Sequence, residues 1–457
     1  MKTKIVEIKT IKSLAEIFND YHQEADAVFL DSSLQNEYGK FSIVGLLPYL
    51  KAEEVNGKLY LNNLEQKESF TQWLKKYLKK NIEINRTELP LISGGIGYFT
   101  YDFGRKTVGV KSRHSSSILN IPDARLIFYS LLLIEDNEKK CIYAAVRNEK
   151  GADKLTEILS NISKYSKPVC QFTQKSEISS SRTKTQIQFN FKKSKYIDAI
   201  RSIIDYIIEG DIYITNMTQQ VIIKSSKHPY NLFQTLRKEN PSPFGSYLNY
   251  QDFQVVSASP ERFLKVRNQK IETRPIKGTR KRGKTQAEDI SLRKELECSE
   301  KDKSELLMIV DLERNDLNRI CKPNTVKVTE LYKIEAYATV FHLVSTIQGI
   351  LRKNTDFVDI LNAAFPGGSI TGAPKYRAME VIDELEKSQR GLYTGSIGYV
   401  TFDGACDLNI VIRTALHHNG VYHLGVGGGI TYESDLTFEY EETLQKAKAF
   451  LNAMEEE

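Results

Sequence analysis

Leu126 to Ile134 is the longest apolar run of the chain, and Ser130 interrupts it. It is far too short to span a bilayer and reads as a buried strand, which commits the chain to a sheet with cover. Other strand-like runs, Ala27–Leu30, Phe41–Val44, Ile96–Tyr101 and Cys141–Val146, lie around it, and Phe70–Lys80 is the one convincing long helix there. Phe172 to Gln188 is rich in Ser, Thr, Lys and Gln, the composition of an exposed connector. Beyond it, Ser194–Glu209 places apolar residues at 197, 200, 203, 204 and 207 on one helical face, and strands and further amphipathic helices follow. The expected organisation is a sheet-rich region over 1–171, a connector over 172–188, and a second region over 189–457 that carries the chemistry.

A chain of 457 residues with 40% hydrophobic content can bury one large or two ordinary cores. Its net charge of +6 is small for this size and fits an anionic small substrate as well as nucleic acid. The cysteines (141, 170, 298, 321 and 406) are spread out without CxxC pairing, which points to reduced thiols in a cytoplasm and gives no zinc site. The N-terminus carries lysines at 2, 4, 9 and 12 but no sustained apolar stretch, so neither a signal peptide nor a membrane association is expected. No GxGxxG or GxxxxGKT phosphate loop follows a strand.

Arg262–Val266 and Lys270–Thr273 flank the turn-prone Asn268 and Gln269 and read as a hairpin. Folding it back brings Glu261, ahead of the first strand, beside Lys277, past the second. A salt bridge is the commoner fate of such a pair; a general acid beside a nucleophile is the functional alternative. Arg274, Arg280, Lys281, Arg282 and Lys284 surround Lys277 in sequence. Neighbouring cations disfavour an ammonium, and a neutral lysine is a nucleophile. The same basic segment also admits a solvated or nucleic-acid-binding loop.

Asp302 with Glu305, and Glu439 with Glu442, stand at i, i+3 spacing on two helices, and Lys446 follows Glu442 by one turn. Each pair alone suits a solvated face. Converged, they would offer oxygen ligands to Mg²⁺. Ser434 and Asp435 mark the start of the second helix, Phe438–Met454. In FPGGSITGAPK (Phe365–Lys375), Pro374 is placed at a first helical position, with Ser369 and Thr371 as hydroxyls. The glycines 427–429 follow a strand Val421–Leu424 and permit close approach of an anion to the main chain. Arg413, in an expected strand Ile410–Leu416, is an inward carboxylate clamp or an outward solvated group with nearly equal weight. His342 sits among Val340, Phe341, Leu343 and Val344, where a core role is commoner than catalysis.

Taken together, SASPERF (Ser257–Phe263), ETRPIKGT, LMIVDLERNDLNR (Leu307–Arg319), HLVST (His342–Thr346), FPGGSITGAPKYRAMEVIDELE, GSIGY, IRT, GGGI and EYEET closely resemble, in order, the chorismate-utilising enzymes. FLDSS, YGKFSIVG and GGIGYFTYD extend the likeness more weakly into the first 170 residues. The resemblance implies an α+β fold: a large mixed β-sandwich core of two packed sheets with helices outside. It also implies roles. Lysine at position 277 is similar to the aminodeoxychorismate synthases, where it is a covalent nucleophile, whereas anthranilate synthases and the isochorismate group usually carry alanine. The strand after Gly210–Asp211 holds no water-activating lysine, and Ile214 replaces a glutamine common in amine-transferring relatives, leaving Asn216 as a polar lining group.

By the same resemblance, Glu261 is the general acid, with His342 in support. Thr279, Ser369, Tyr393, Arg413, Gly427, Gly428, Gly429 and Lys446 contact chorismate. Glu305 and Glu442 hold Mg²⁺, with Asp302 and Glu439 behind them. Ser32, Tyr38, Gly39, Lys40, Phe41, Pro243, Phe244 and Gly245 would form a tryptophan pocket. No Gly-x-Cys-x-Gly glutaminase elbow occurs, so a separate glutamine amidotransferase subunit is the expected source of ammonia. Anthranilate synthase is the alternative of the same class, and a basic nucleic-acid binder the alternative of another.

Overall fold

The computed structural model describes residues 2–34, 38–114, 119–164, 185–337 and 340–455. Among these, hydrogen bonding joins 22 strands into one sheet, flanked by eleven α-helices. The apolar run found first lies within strand Ala124–Asp136, and Leu126 to Ile134 are all buried. Its side chains feed three cores: Ile127, Tyr129, Leu132 and Ile134 pack in one cluster, Leu126 and Phe128 in a second, Leu131 and Leu133 in a third. Each such side chain contributes about 1.5–3 kcal/mol by leaving water.

The strands Val28 and Ile43 belong to share a core with Ile96, Val255, Ile397 and Leu416, which come from strands far apart along the pairing order. The sheet therefore curls onto itself, and the two packed layers are parts of one continuous sheet. Strands of the first region pair with strands of the second at two places, Ala27–Asp31 with Phe244–Asn249 and Gly94–Phe99 with Ser396–Thr401. The expected connector lies outside the described residues up to position 184; its end enters strand Gln186–Phe189, which pairs with Ile214–Lys224.

Several expectations need correction. The strand begun at Ile96 ends at Phe99, because Thr100 caps a helix, Tyr101–Val108, by accepting from the Phe103 amide. A second long helix in the first region, Glu149–Lys164, had no counterpart in the reading above. Pro374 is the N-cap of Lys375–Glu386 rather than its first residue. The glycines 427–429 lie inside the strand Val421–Ile430, not after it. Arg413 is in no strand: it sits between Cys406–Asn409 and Thr414–His418 with φ of 48°, a left-handed conformation that breaks the alternation assumed for it.

Candidate active site

The hairpin forms as expected, Arg262–Arg267 against Lys270–Thr273, and brings Glu261 and Lys277 to one cleft. Lys277 lies on the next strand, Ile276–Lys281, which pairs with Val340–Ile350. The register shifts between Lys277 and Thr279, which oppose the adjacent Leu343 and His342, so Gly278 is an extra residue in a bulge. Its φ of 65° suits glycine, and an added Cβ would come within 2.8 Å of Asp302 Cγ. The bulge thus seats the Lys277 strand against the helix Glu300–Asn318 that carries Asp302 and Glu305.

The cleft encloses about 1500 Å³, part of it open to solvent. Lys277 points across it to the glycine strand: a Cβ on Gly429 would stand 3.1 Å from Lys277 Nζ and 3.5 Å from Ile214 Cδ1. The absence of a side chain at Gly429 is what makes room. Ile214 leaves an apolar wall beside the amine, and Asn216 lines the cleft with an unpaired buried Oδ1.

Three of the five cations that flank Lys277 in sequence are paired with other groups. Arg274 lies 3.5 Å over the Tyr38 ring and pairs with Glu335; Arg280 pairs with Glu295 at 2.6 Å and Asp302 at 3.1 Å; Arg282 pairs with Asp289 at 2.7 Å. The carboxyl groups Glu261 and Glu305 face Lys277, and Arg413 and Lys446 line the same cleft. The electrostatic reason first given for a reactive amine is therefore replaced by a different setting. The same ion pairs occupy Arg280 and Arg282 of the basic segment, and Lys281 and Lys284 are exposed.

Glu261 is buried, which pushes its carboxyl up to about 7; Ser369 and Lys277 oppose the shift without cancelling it. The Ser369 hydroxyl lies beside it, buried and without a hydrogen bond of ordinary geometry. His342 is buried, with Nδ1 3.0 Å from Thr279 Oγ1 and Nε2 unpaired. Burial and the Arg413 charge hold it down to about 3, so the ring is neutral and offers a hydrogen bond rather than a proton reservoir. Tyr393 lines the cleft and packs so closely on Gly425 that a Cβ there would fall within 2.1 Å of the ring.

Arg413 also lines this cleft, and among the described residues its guanidinium has no ion pair and no side-chain hydrogen bond. Burial disfavours its charge, with nothing on the protein to compensate. A buried guanidinium in this setting has donors to spare for an anion that the protein does not itself supply.

The two carboxylate helices converge here. Glu305 and Glu439 both sit above the usual carboxylate range, first because of burial and then through neighbouring carboxylates. Lys301, which the sequence reading passed over although it stands i, i+4 to Glu305, reaches both only at 3.9 and 3.7 Å. Lys446 pairs with Glu442 at 3.2 Å and donates to the Gly427 carbonyl at 2.8 Å. A Cβ on Gly428 would stand 2.9 Å from Glu442 Oε2 and 3.3 Å from Glu439 Oε2. Oxygen donors and incomplete neutralisation fit a hard divalent cation that uses one or two carboxylates, waters and substrate oxygens, although among the described residues no three such side chains gather as a complete protein ligand set.

A second cavity, about 890 Å³, is lined by Ser32, Tyr38, Lys40 and Phe41 together with Pro243, Phe244 and Gly245. Gly39 does not line it; its carbonyl accepts from Asn137. Among the described residues no helix is long and apolar enough to cross a membrane, and Cys141, Cys298, Cys321 and Cys406 are free.

A family described as chorismate binding enzyme matches residues 31–452. Anthranilate synthase component 1 of Aquifex aeolicus is 34% identical over 443 residues, 94% of this chain and 89% of that protein. Aminodeoxychorismate synthase component 1 of Bacillus subtilis is 35% identical over 440 residues, 91% of this chain and 90% of that protein. The crystal structure of anthranilate synthase component I from Streptococcus pneumoniae superposes with a TM-score of 0.79 at 29% identity, over 91% of this chain and 93% of that one.

Proposed function

We propose a specific reaction on one premise: the chain belongs to the chorismate-binding enzyme family. The reaction is that of an aminodeoxychorismate synthase large subunit, converting chorismate and ammonia to 4-amino-4-deoxychorismate, a step toward 4-aminobenzoate and folate. The observation that carries this reading is Lys277, an amine lying against the side-chain-free Gly429 in the same cleft as a protonatable Glu261. Relatives named for anthranilate synthase are about as similar as those named for aminodeoxychorismate synthase, so the choice rests on that lysine.

In this reading Arg413 and the glycine amides hold the anionic groups of chorismate, with Thr279, Tyr393 and Lys446 as further contacts. Lys277 Nζ attacks ring carbon 2, both ring double bonds shift one position along the ring, and the C4–O bond breaks as Glu261 delivers its proton, releasing water. Ammonia then adds at carbon 4, both double bonds shift back and Lys277 leaves carbon 2 with its electron pair. His342 Nε2 supplies a neutral hydrogen bond. Glu305 and Glu442, backed by Asp302 and Glu439, would hold Mg²⁺, which when bound supplies charge stabilisation for a substrate carboxylate. Ammonia would come from a glutamine amidotransferase subunit. The second cavity is where a tryptophan-like amino acid would bind, and the stack of Tyr38 on Arg274 links it to the Lys277 strand.

The test is to supply chorismate, Mg²⁺ and ammonium and follow pyruvate: ammonium-dependent chorismate loss without pyruvate release supports the reading, and stoichiometric pyruvate points to anthranilate formation. Two further results are expected. Arg413→Met raises KM for chorismate roughly 10- to 100-fold, what losing a charge-assisted contact of about 1.5–3 kcal/mol amounts to. Chelation abolishes turnover and added Mg²⁺ restores it, while Glu305→Gln needs on the order of tenfold more Mg²⁺ for half-maximal rate.

A further inference from the structure

Helix Glu300–Asn318 buries a carboxyl that the reaction above does not use. Glu313 is 7% exposed, and its Oε2 lies 2.8 Å from Thr273 Oγ1. The same hydroxyl lies 2.7 Å from the carbonyl oxygen of Phe263. A threonine hydroxyl has one proton, and a carbonyl only accepts. With the hydroxyl proton directed to Phe263, the contact with Glu313 needs a proton from the carboxyl. An ionised Glu313 would instead set two acceptors competing for one proton and leave a buried charge without a cation. The groups facing it are Glu261, Asp316 and Lys375, and Lys375 is already taken by Asp316 at 2.6 Å and by two carbonyls.

The position matters. Regular pairing in the hairpin runs from Lys265–Glu272 to Arg267–Lys270. Toward the cleft the carboxyl, the Thr273 hydroxyl and the Phe263 carbonyl join the two strands, just where the chain leads to Glu261 on one side and Lys277 on the other. Glu313 also supports the turn that carries Ser369, since a Cβ on Gly368 would stand 3.3 Å from Glu313 Cγ.

We propose that Glu313 is a protonated carboxylic acid whose O–H, passed through Thr273 to the Phe263 carbonyl, sets the spacing of the hairpin strands that lead to Glu261 and Lys277: a positioning residue for the acid and the amine. Its consequence for turnover rests on the function proposed above; its protonation does not. Burial, with the Glu261 and Asp316 charges adding, raises it to about 8 against the Lys375 charge. The folded chain therefore keeps a proton that the unfolded chain releases above about 4.3, and stability falls as pH rises through that window toward the folded value.

Two substitutions separate the roles. Glu313→Gln keeps a donor for Thr273 and cannot titrate; Glu313→Leu removes the donor. The margin by which thermal melting of Glu313→Gln exceeds that of the natural protein is expected to widen from about pH 5 to about pH 8 and then level off. The carbon-13 carboxyl resonance that vanishes in Glu313→Gln is expected at the position of a protonated acid at neutral pH. In the ammonium-dependent reaction kcat/KM of the natural protein falls above pH 8 with a slope approaching about two, and that of Glu313→Gln with about one, since only Glu261 still titrates. Glu313→Leu loses on the order of tenfold in kcat and Glu313→Gln recovers most of it. An ionised carboxyl at neutral pH, or a Glu313→Gln protein no better than Glu313→Leu, overturns the proposal. Melting and resonance are read without substrate, so they decide it even if the reaction proves different.

Discussion

Lys277→Ala is expected to lose on the order of 10³-fold or more in kcat with chorismate and free ammonium, the scale seen when a covalent nucleophile is removed. KM should change little, because Arg413, Lys446 and the glycine strand remain to bind the substrate. That division separates a covalent role from a binding role, which would raise KM and spare kcat. Protein quenched during turnover without ammonium should carry an adduct of chorismate less water on Lys277, and Lys277→Ala none. Retention of full ammonia-dependent activity in Lys277→Ala contradicts the covalent step. The substitution is compatible with folding, since the side chain ends in an open cleft and makes none of the sheet's hydrogen bonds.

Glu261→Gln comes next in size, with a loss of about 10²–10⁴-fold, the usual contribution of a positioned general acid. The pH profile carries the same information. The carboxyl works in its protonated form and titrates at about 7, so kcat/KM of the natural protein should be level below that value and decline above it. The Gln variant should lose the decline that begins near 7 and keep only the one expected near 8 from Glu313. Because the folded value lies above that of an exposed glutamate, Glu261 also makes the fold less stable as pH rises from about 4.3 toward 7. Glu261→Gln is therefore expected to melt higher than the natural protein near neutral pH while being far less active. An unchanged pH profile in the variant would remove Glu261 from the acid's role.

Local pattern carried the sequence reading as far as it went. The hairpin around Asn268 and Gln269 and the helices at Phe70–Lys80 and Ser194–Glu209 follow from alternation and 3.6-residue spacing, and each forms within a residue or so of the expected bounds. The meeting of Glu261 with Lys277 was legible for the same reason, because a hairpin is a local fold. Arg413 was not, since a left-handed residue between two strands has no periodic signal. Nor was the electrostatics of Lys277: sequence shows which cations are near along the chain, but Glu295, Asp289 and Glu335 claim them from other elements. Glu313 stood in the quoted run LMIVDLERNDLNR without a role, because its meaning comes from Thr273 and Phe263 on other strands.

Identifying the product formed from chorismate, Mg²⁺ and ammonium by mass and proton NMR tests the central claim most directly. An amino group at ring carbon 4 with the enolpyruvyl side chain retained is the expected result. Anthranilate or isochorismate as the main product contradicts it.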